Sequence, residues 1–292
     1  MVEKLGRNLL LCMCIGIHIV CLLLGWKQEA EKSVCRGPGQ AWITLHEILS
    51  ADPLNESEYR TLFYQTGCSR RAIEALPEEN REAILLRAQR LFFTRPDTCC
   101  SKNSLISWQE ENENPVLPDI LGIQDGDILI SFCSHTFGWR NGHAAIVVDA
   151  NEGKTLEAVL MGEDSCLQSV EKWRSYPSFV VLRLRHASRE KREKIAQYAR
   201  ENLQGIPYGF GTDLLEHFRR KKQEIPEDTD CAHLIWKSYL AFGFDLDSDG
   251  GMIVTPRDIA ESPLLEVIQI YGMDPAMVVE ADELCSFDAP ER

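Results

Sequence analysis

A cysteine and a histidine in this sequence stand where nucleophilic catalysis would need them. Cys231 directly follows Asp230, and an apolar helical pattern begins at that point. Aspartate is a favoured N-cap, and the N-terminus of a helix lowers the pKa of a thiol. The backbone N–H groups of the same turn can also stabilise an oxyanion. Cys231 is therefore a candidate nucleophile, and the alternative is an ordinary buried cysteine.

A base for this thiol is predicted at the start of a strand. His143 opens the segment HAAIVVDA, and the next strand-like segment contains Glu157. A hairpin centred near Ala150 would place Glu157 across from His143 on the same face, where a carboxylate can orient the imidazole. A cationic histidine lowers the pKa of a neighbouring thiol further, so the pair is expected to react already at about pH 6. The alternatives are a structural histidine and an exposed carboxylate.

Taken together, these segments resemble a known family. The order GDILIS, NGHAAIVVDA and TLEAV, then GIPYGFG and TDCAHLIWKSYLAFGFDL, is similar to the circularly permuted papain-like enzymes of the NlpC superfamily, the YiiX/YaeF-like group. In the non-permuted relatives the cysteine helix comes first, whereas here the histidine strand does. The resemblance covers residues 122–270. One departure is Ala232, because many relatives carry serine after the cysteine.

This resemblance implies a thiol hydrolase that cleaves an amide bond in peptidoglycan-type peptides. It assigns Cys231 as the nucleophile, His143 as the base and Glu157 as the residue that orients His143. It also places Tyr208, in GIPYGFG, at the wall of the site, where Tyr208 could stabilise the oxyanion together with the backbone N–H of Cys231. The implied partner is a peptide or a peptidoglycan fragment.

The elements that must position these residues follow from the hydrophobic pattern. Helical, then strand-like, then helical segments predict an α+β fold with an antiparallel sheet. Residues 41–114 are expected to form a helical subdomain, separable from catalysis but able to shape substrate choice. Residues 115–275 are expected to form the catalytic domain, with the permuted papain-like (NlpC-type) fold and the sheet packed on the Cys231 helix. Residues 29–40 are interpreted as a linker and 276–292 as a loosely packed acidic tail.

The N-terminus predicts export from the cytoplasm. An apolar run, Leu9–Gly25, follows Lys4 and Arg7. As a helix this run would extend about 25 Å, near the lower limit for crossing a bilayer. Residues 1–28 are therefore a signal peptide or a signal anchor, and the absence of a small-x-small cleavage site favours the anchor. The body is expected to be extracytoplasmic, attached to the membrane by this single helix or secreted.

The overall charge argues against one class of partner. The chain has 45 acidic and 31 basic side chains and a formal net charge of −14. A chain this acidic is repelled by polyanions, so nucleic acid is not an expected partner.

Neither a cofactor nor a metal site is predicted. The run from Asp245 to Gly250 resembles the start of a calcium loop, but Pro256 stands at the twelfth position, where a glutamate is needed. The eleven cysteines and nearby histidines lack the paired short spacings of a zinc site. Because the number of cysteines is odd, not all of them can pair within the chain, and their spacing does not reveal a disulfide connectivity.

Two other functions remain open. Relatives of lecithin retinol acyltransferase share the permuted order, and the run Asp230-Cys231-Ala232-His233 partly resembles their cysteine motif. A lipid acyltransferase or phospholipase of that group would suit a membrane anchor, but those relatives usually carry a second histidine where Glu157 stands. The other alternative is a catalytically inactive module that binds cell-wall peptide. A complete Cys, His and Glu set argues against that module.

Overall fold

The computed structural model describes residues 15–16, 37–51, 53–102, 107–136, 139–209 and 225–278. The apolar run Leu9–Gly25 lies outside these ranges except for Ile15 and Gly16. Most of the predicted linker and nearly all of the predicted acidic tail also lie outside them. In the described ranges, no helix combines the length and the apolar character that a membrane span requires.

The described helices and strands are numbered here in chain order. The α-helices are α1 (His46–Leu49), α2 (Glu56–Thr66), α3 (Arg70–Glu74), α4 (Arg81–Phe93), α5 (Arg189–Asn202), α6 (Cys231–Leu240), α7 (Pro256–Ala260) and α8 (Pro275–Val278). The strands are β1 (Thr98–Lys102), β2 (Ser107–Asn112), β3 (Ile128–Ser131), β4 (Ser134–Thr136), β5 (Trp139–Arg140), β6 (His143–Asp149), β7 (Lys154–Glu157), β8 (Cys166–Ser169), β9 (Phe179–Leu184) and β10 (Leu265–Tyr271). Short 3₁₀ helices cover Glu78–Asn80 and Val170–Ser175.

The larger sheet is antiparallel and forms the centre of the fold. Its strand order is β10-β9-β3-β6-β7-β8. Nearly every residue of β3, β6 and β9 is buried, as expected for strands covered on both faces. Helices α5 and α6 pack against β6 and against each other. The predicted α+β class and the packing of the antiparallel sheet on the Cys231 helix are therefore confirmed.

Helix ends follow the capping signals in the sequence. Asn55 accepts a hydrogen bond from the backbone N–H of Glu58 and completes a capping box at the start of α2. Gly67 ends that helix in the left-handed conformation. Ser188 caps α5, and Asp230 caps α6. The α6 cap matters most for function, because it sets where the Cys231 helix begins.

The predicted helical subdomain needs one correction. Residues 98–102 and 107–112 form β1 and β2, which belong to a second sheet of order β1-β2-β4-β5. This sheet joins residues assigned to the helical subdomain to residues assigned to the catalytic domain. The segment is rich in Ser, Asn and Glu, so it lacks the apolar alternation that would have indicated strands.

The helices before residue 94 share a core with the large sheet. Buried residues of this region, such as Leu62 and Phe63, belong to one hydrophobic cluster with the buried strands. The backbone N–H of Ile270 in β10 donates to the carbonyl of Gly67 at 2.8 Å, and the N–H of Ser69 donates to Ile268 at 2.9 Å. A Cβ atom on Gly67 would stand 2.1 Å from the carbonyl oxygen of Ile270, so this approach requires glycine. The N-terminal helices are thus part of the same packed unit.

Candidate active site

Cys231 lies at the first turn of α6, as the sequence predicted. The carboxylate of Asp230 accepts hydrogen bonds from the backbone N–H groups of Ala232 and His233, at 2.8 and 3.0 Å. The backbone N–H of Ala144 lies near enough to the Cys231 thiol to lower its pKa. Because Ala144 directly follows His143, the thiol lies near the beginning of β6, where the predicted base stands.

His143 and Glu157 are in direct contact. Nε2 of His143 lies 2.7 Å from Oε2 of Glu157, and both side chains are buried. The strand register continues from Ile146 opposite Leu156, which puts Glu157 opposite Ala145 rather than opposite His143. The two side chains are therefore diagonal neighbours on one face, which is within reach for side chains of this length. An ionised carboxylate only accepts hydrogen bonds, so Nε2 carries the proton and Nδ1 is left to act as the base.

Glu157 is held by three further donors that the sequence analysis missed. Oε1 accepts hydrogen bonds from the hydroxyl of Thr155 at 2.6 Å and from the indole N–H of Trp173 at 2.9 Å. Nζ of Lys172 lies 2.6 Å from Oε2, the oxygen that also contacts His143. Thr155 lies two residues before Glu157 and so shares its face of β7, which period-2 alternation could have indicated. Lys172 and Trp173 lie in a 3₁₀ helix and carry no periodic signal.

These donors keep Glu157 ionised. Burial by itself would raise the pKa of a carboxyl group, but the contacts with His143 and Lys172 outweigh it and lower the pKa of Glu157 to about 2. Glu157 is therefore a carboxylate across the physiological pH range and can stabilise a positive charge on the imidazole.

Aromatic packing fixes the plane of the imidazole. The His143 and Trp173 rings are stacked, with centroids 5.5 Å apart and planes 15° from parallel. Trp173 in turn meets Tyr176 edge-on at 4.9 Å, and both of these aromatic side chains are buried. One residue, Trp173, thus contacts both the predicted base and the carboxylate that orients it.

The protonation state of Cys231 differs from the expectation. Burial raises the pKa of this thiol to about 12, and the charge of Asp230 adds to the effect. Hydrogen bonds from the backbone N–H groups of Ala144, Ala232 and Cys231 itself lower the pKa, but less strongly. The sequence predicted a thiolate in the free protein, and this prediction is corrected. The thiol is neutral before substrate binds, because desolvation raises its pKa more than the helix N-terminus lowers it. Its proton must leave during attack, with His143 as the acceptor.

Tyr208 lies close to the nucleophile. Burial raises the pKa of its hydroxyl, and negative charge on Cys231 after loss of its proton, together with the charge of Asp230, raises it further. Backbone bonds hold this residue in place: its N–H donates to Glu163 at 3.0 Å, and a β-bridge pairs it with Thr229. A hydroxyl that stays protonated beside the thiol can donate a hydrogen bond to a developing oxyanion.

His233 belongs to the core. The side chain is buried, Nδ1 lies 3.1 Å from the hydroxyl of Thr229, and burial lowers the pKa of the ring to about 3. A neutral buried ring that contacts the N-cap region supports the start of α6.

The acidic run after α6 is arranged differently from a calcium loop. One carboxylate oxygen each from Asp247, Asp249 and Asp258 lies within 4.8 Å of the others. Asp258 comes from α7, and its side chain caps that helix by accepting from the N–H and hydroxyl of Thr255. This cap accounts for the position of Asp258.

The raised pKa of Cys231 predicts a steep pH dependence of alkylation. Only the thiolate reacts with iodoacetamide, and below a pKa of about 12 the thiolate fraction rises tenfold per pH unit. Labelling of Cys231 in the free protein is therefore expected to rise by about tenfold per unit from pH 6 to 9, without an acidic plateau. Mass spectrometry of the labelled peptides measures this profile.

Cys68 provides the matched control for this profile. Burial raises the pKa of Cys68 to about 12 as well, but this side chain is completely buried while Cys231 is 6% exposed. Cys231 should therefore label faster than Cys68 at every pH. A rate for Cys231 that is flat from pH 5 to 7 would show that a thiolate–imidazolium pair exists at rest after all.

Comparisons with known proteins show little likeness. No family model matches the chain, and no curated protein matches it. Among solved structures, the chain is similar to the crystal structure of metalloprotein yiiX from Escherichia coli O157:H7, with 17% identity and a TM-score of 0.37. The alignment covers 50% of this chain and 96% of that one. At this TM-score the likeness establishes neither fold nor function.

Proposed function

We propose that this chain is a cysteine hydrolase that cleaves an amide bond through a thioester on Cys231, within a permuted papain-like fold of the NlpC type. The observation that supports this most is the buried hydrogen bond between His143 and Glu157, 2.7 Å long, beside a cysteine at a helix N-terminus. A buried imidazole–carboxylate pair next to a thiol has the roles of base and orienting group in nucleophilic catalysis.

The reaction follows from the chemistry of these groups. The Cys231 sulfur bonds to the substrate carbonyl carbon while its proton passes to Nδ1 of His143. The carbonyl π electrons move to oxygen, where the backbone N–H of Cys231 and the Tyr208 hydroxyl would donate hydrogen bonds. The C–N bond then breaks, and His143 returns the proton to the leaving amine. Water, deprotonated by His143, attacks the thioester and releases a carboxylic acid and the thiol.

The proposed substrate class is a peptide of peptidoglycan type. The proposal rests on the sequence resemblance described above and on the apolar run Leu9–Gly25, which would carry the body out of the cytoplasm and anchor it to the membrane if uncleaved. Protease added to intact cells tests the location, because an extracytoplasmic body would be digested. Full protection of the body would contradict this location.

The substrate class can be tested by direct incubation. The purified protein is mixed with peptidoglycan stem-peptide fragments and, separately, with phospholipid vesicles, and the products are identified by mass spectrometry. Cleavage of an amide in the fragments, with an acyl adduct on Cys231 after rapid quenching, is the expected result.

Other outcomes identify the alternatives. Fatty-acid release or acyl transfer from phospholipid would indicate the lipid acyltransferase or phospholipase instead. Binding of the fragments without cleavage or an adduct would indicate an inactive binding module.

A further inference from the structure

The Glu157 carboxylate contacts two basic side chains of different kinds. Oε2 of Glu157 lies 2.7 Å from Nε2 of His143 and 2.6 Å from Nζ of Lys172. Glu157 is completely buried, whereas the Lys172 side chain is 30% exposed. A permanent positive charge therefore shares one oxygen atom with the ring that must accept the proton from the thiol.

We propose that Lys172 is a positioning residue that partly neutralises the Glu157 charge acting on His143, through the oxygen atom that both side chains contact. This inference rests on the proposed function, because it concerns the base of that reaction. A carboxylate with no other cation would stabilise an imidazolium by a full unit of negative charge. With Lys172 on the same oxygen, much of that charge is already neutralised, and the neutral imidazole is favoured.

The elements that pack against β6 carry further buried titratable side chains. They are Cys231, His233, Lys237 and Tyr239 of α6, Asp230 at the α6 cap and Arg192 of α5. Tyr176 stays protonated, because burial raises the pKa of its hydroxyl. In the described part of the chain, Lys172 is the basic side chain besides His143 that lies within ion-pair distance of Glu157.

The arrangement adds to the effect of burial, which already favours the neutral thiol. A strongly basic imidazole would take the proton from Cys231 before substrate arrives and leave a thiolate open to oxidation. With the Glu157 charge partly neutralised by Lys172, proton transfer is deferred until the sulfur bonds to carbon and loses its affinity for the proton. Lys172 thus acts through Glu157 and His143.

The test is the titration of His143 in the Lys172→Gln variant. Removal of a cation raises the proton affinity of a neighbouring base, so the midpoint of the His143 titration should rise by about one pH unit. Long-range ¹H–¹⁵N spectra of the full chain labelled at histidine give this midpoint, with His143→Asn to assign the signal. Alkylation of Cys231 at pH 6 should rise by up to about tenfold in the same variant.

Two variants serve as controls. Lys172→Arg keeps the charge and should keep the midpoint of the His143 titration. Lys194→Gln removes a different lysine, one on the surface of α5 that pairs with Glu190. Lys172→Met keeps the length of the chain without its charge and replaces Lys172→Gln if that variant does not fold. An unchanged His143 midpoint in a folded, uncharged variant overturns the proposal, and so does failure of both uncharged variants to fold.

The titration needs no substrate, so the two proposals fail separately. A shifted midpoint in a protein that hydrolyses nothing would uphold the role of Lys172 and contradict the hydrolase. Hydrolysis at Cys231 without a shifted midpoint would contradict only the role of Lys172.

Discussion

Cys231→Ala is expected to reduce turnover by roughly a thousandfold or more, because it removes the proposed nucleophile. His143→Asn should cost a similar factor, since the neutral thiol then has no base to take its proton. The two effects should not add, because nucleophile and base act in one step. Product formation from the cleaved fragment, followed by mass spectrometry at matched protein concentration, measures both losses.

Glu157→Gln separates orientation from proton transfer. The amide keeps the shape of the side chain but cannot stabilise an imidazolium, so a residual rate about 10² to 10⁴ times below the native one is expected. Cys68→Ala is the matched control, because it removes another buried thiol of raised pKa, beside β10 rather than at the α6 cap. Native turnover in Cys231→Ala would show that the hydrolysis does not pass through this thiol.

Trp173→Ala is expected to have the largest effect on stability among single changes around the site. The indole is completely buried, so its removal leaves a cavity that costs about 3–5 kcal/mol of unfolding free energy. The same change removes a donor to Glu157 and the surface on which the His143 ring is stacked. Urea unfolding gives the stability, and turnover measured below the unfolding transition gives the catalytic loss.

Trp173→Phe distinguishes packing from hydrogen bonding. Phenylalanine keeps an aromatic surface against His143 but has no N–H that can donate to Glu157. We therefore expect the free energy of unfolding to fall by about 1–3 kcal/mol and turnover to fall clearly. Trp236→Phe is the matched control, because its indole N–H also donates to a carboxylate, that of Asp245, at 2.7 Å. Equal loss of turnover in the two phenylalanine variants would show that Trp173 contributes general stability and no orientation of the site.

The sequence predicted those elements of the fold whose signals are local. Asp230 marks the start of α6, as predicted, because a cap depends on the residues that form it. The strands that carry His143 and Glu157, β6 and β7, were also predicted from local patterns. The β1–β2 pair was not, because polar strands are stabilised by a partner distant in the chain, which no local pattern reveals.

The candidate site, like the fold, was predictable only where the signal is local in the sequence. Cys231, His143 and Glu157 have residue types and positions that indicate chemistry, and the structure brings His143 and Glu157 into contact. Lys172 and Trp173 reach Glu157 from a 3₁₀ helix whose position depends on tertiary packing. The raised pKa of Cys231 could not be predicted either, since desolvation is a property of the folded surroundings.

The junction between Gly67 and Ile270 has a consequence for biosynthesis. About two hundred residues separate these two partners, and chains are made at about 5–20 residues per second. Gly67 is therefore made about 10 to 40 s before Ile270. During that time Leu62 and Phe63 lack part of their final covering, and exposed apolar surface of this kind is prone to aggregate. Completion of β10 closes the core and ends that exposure.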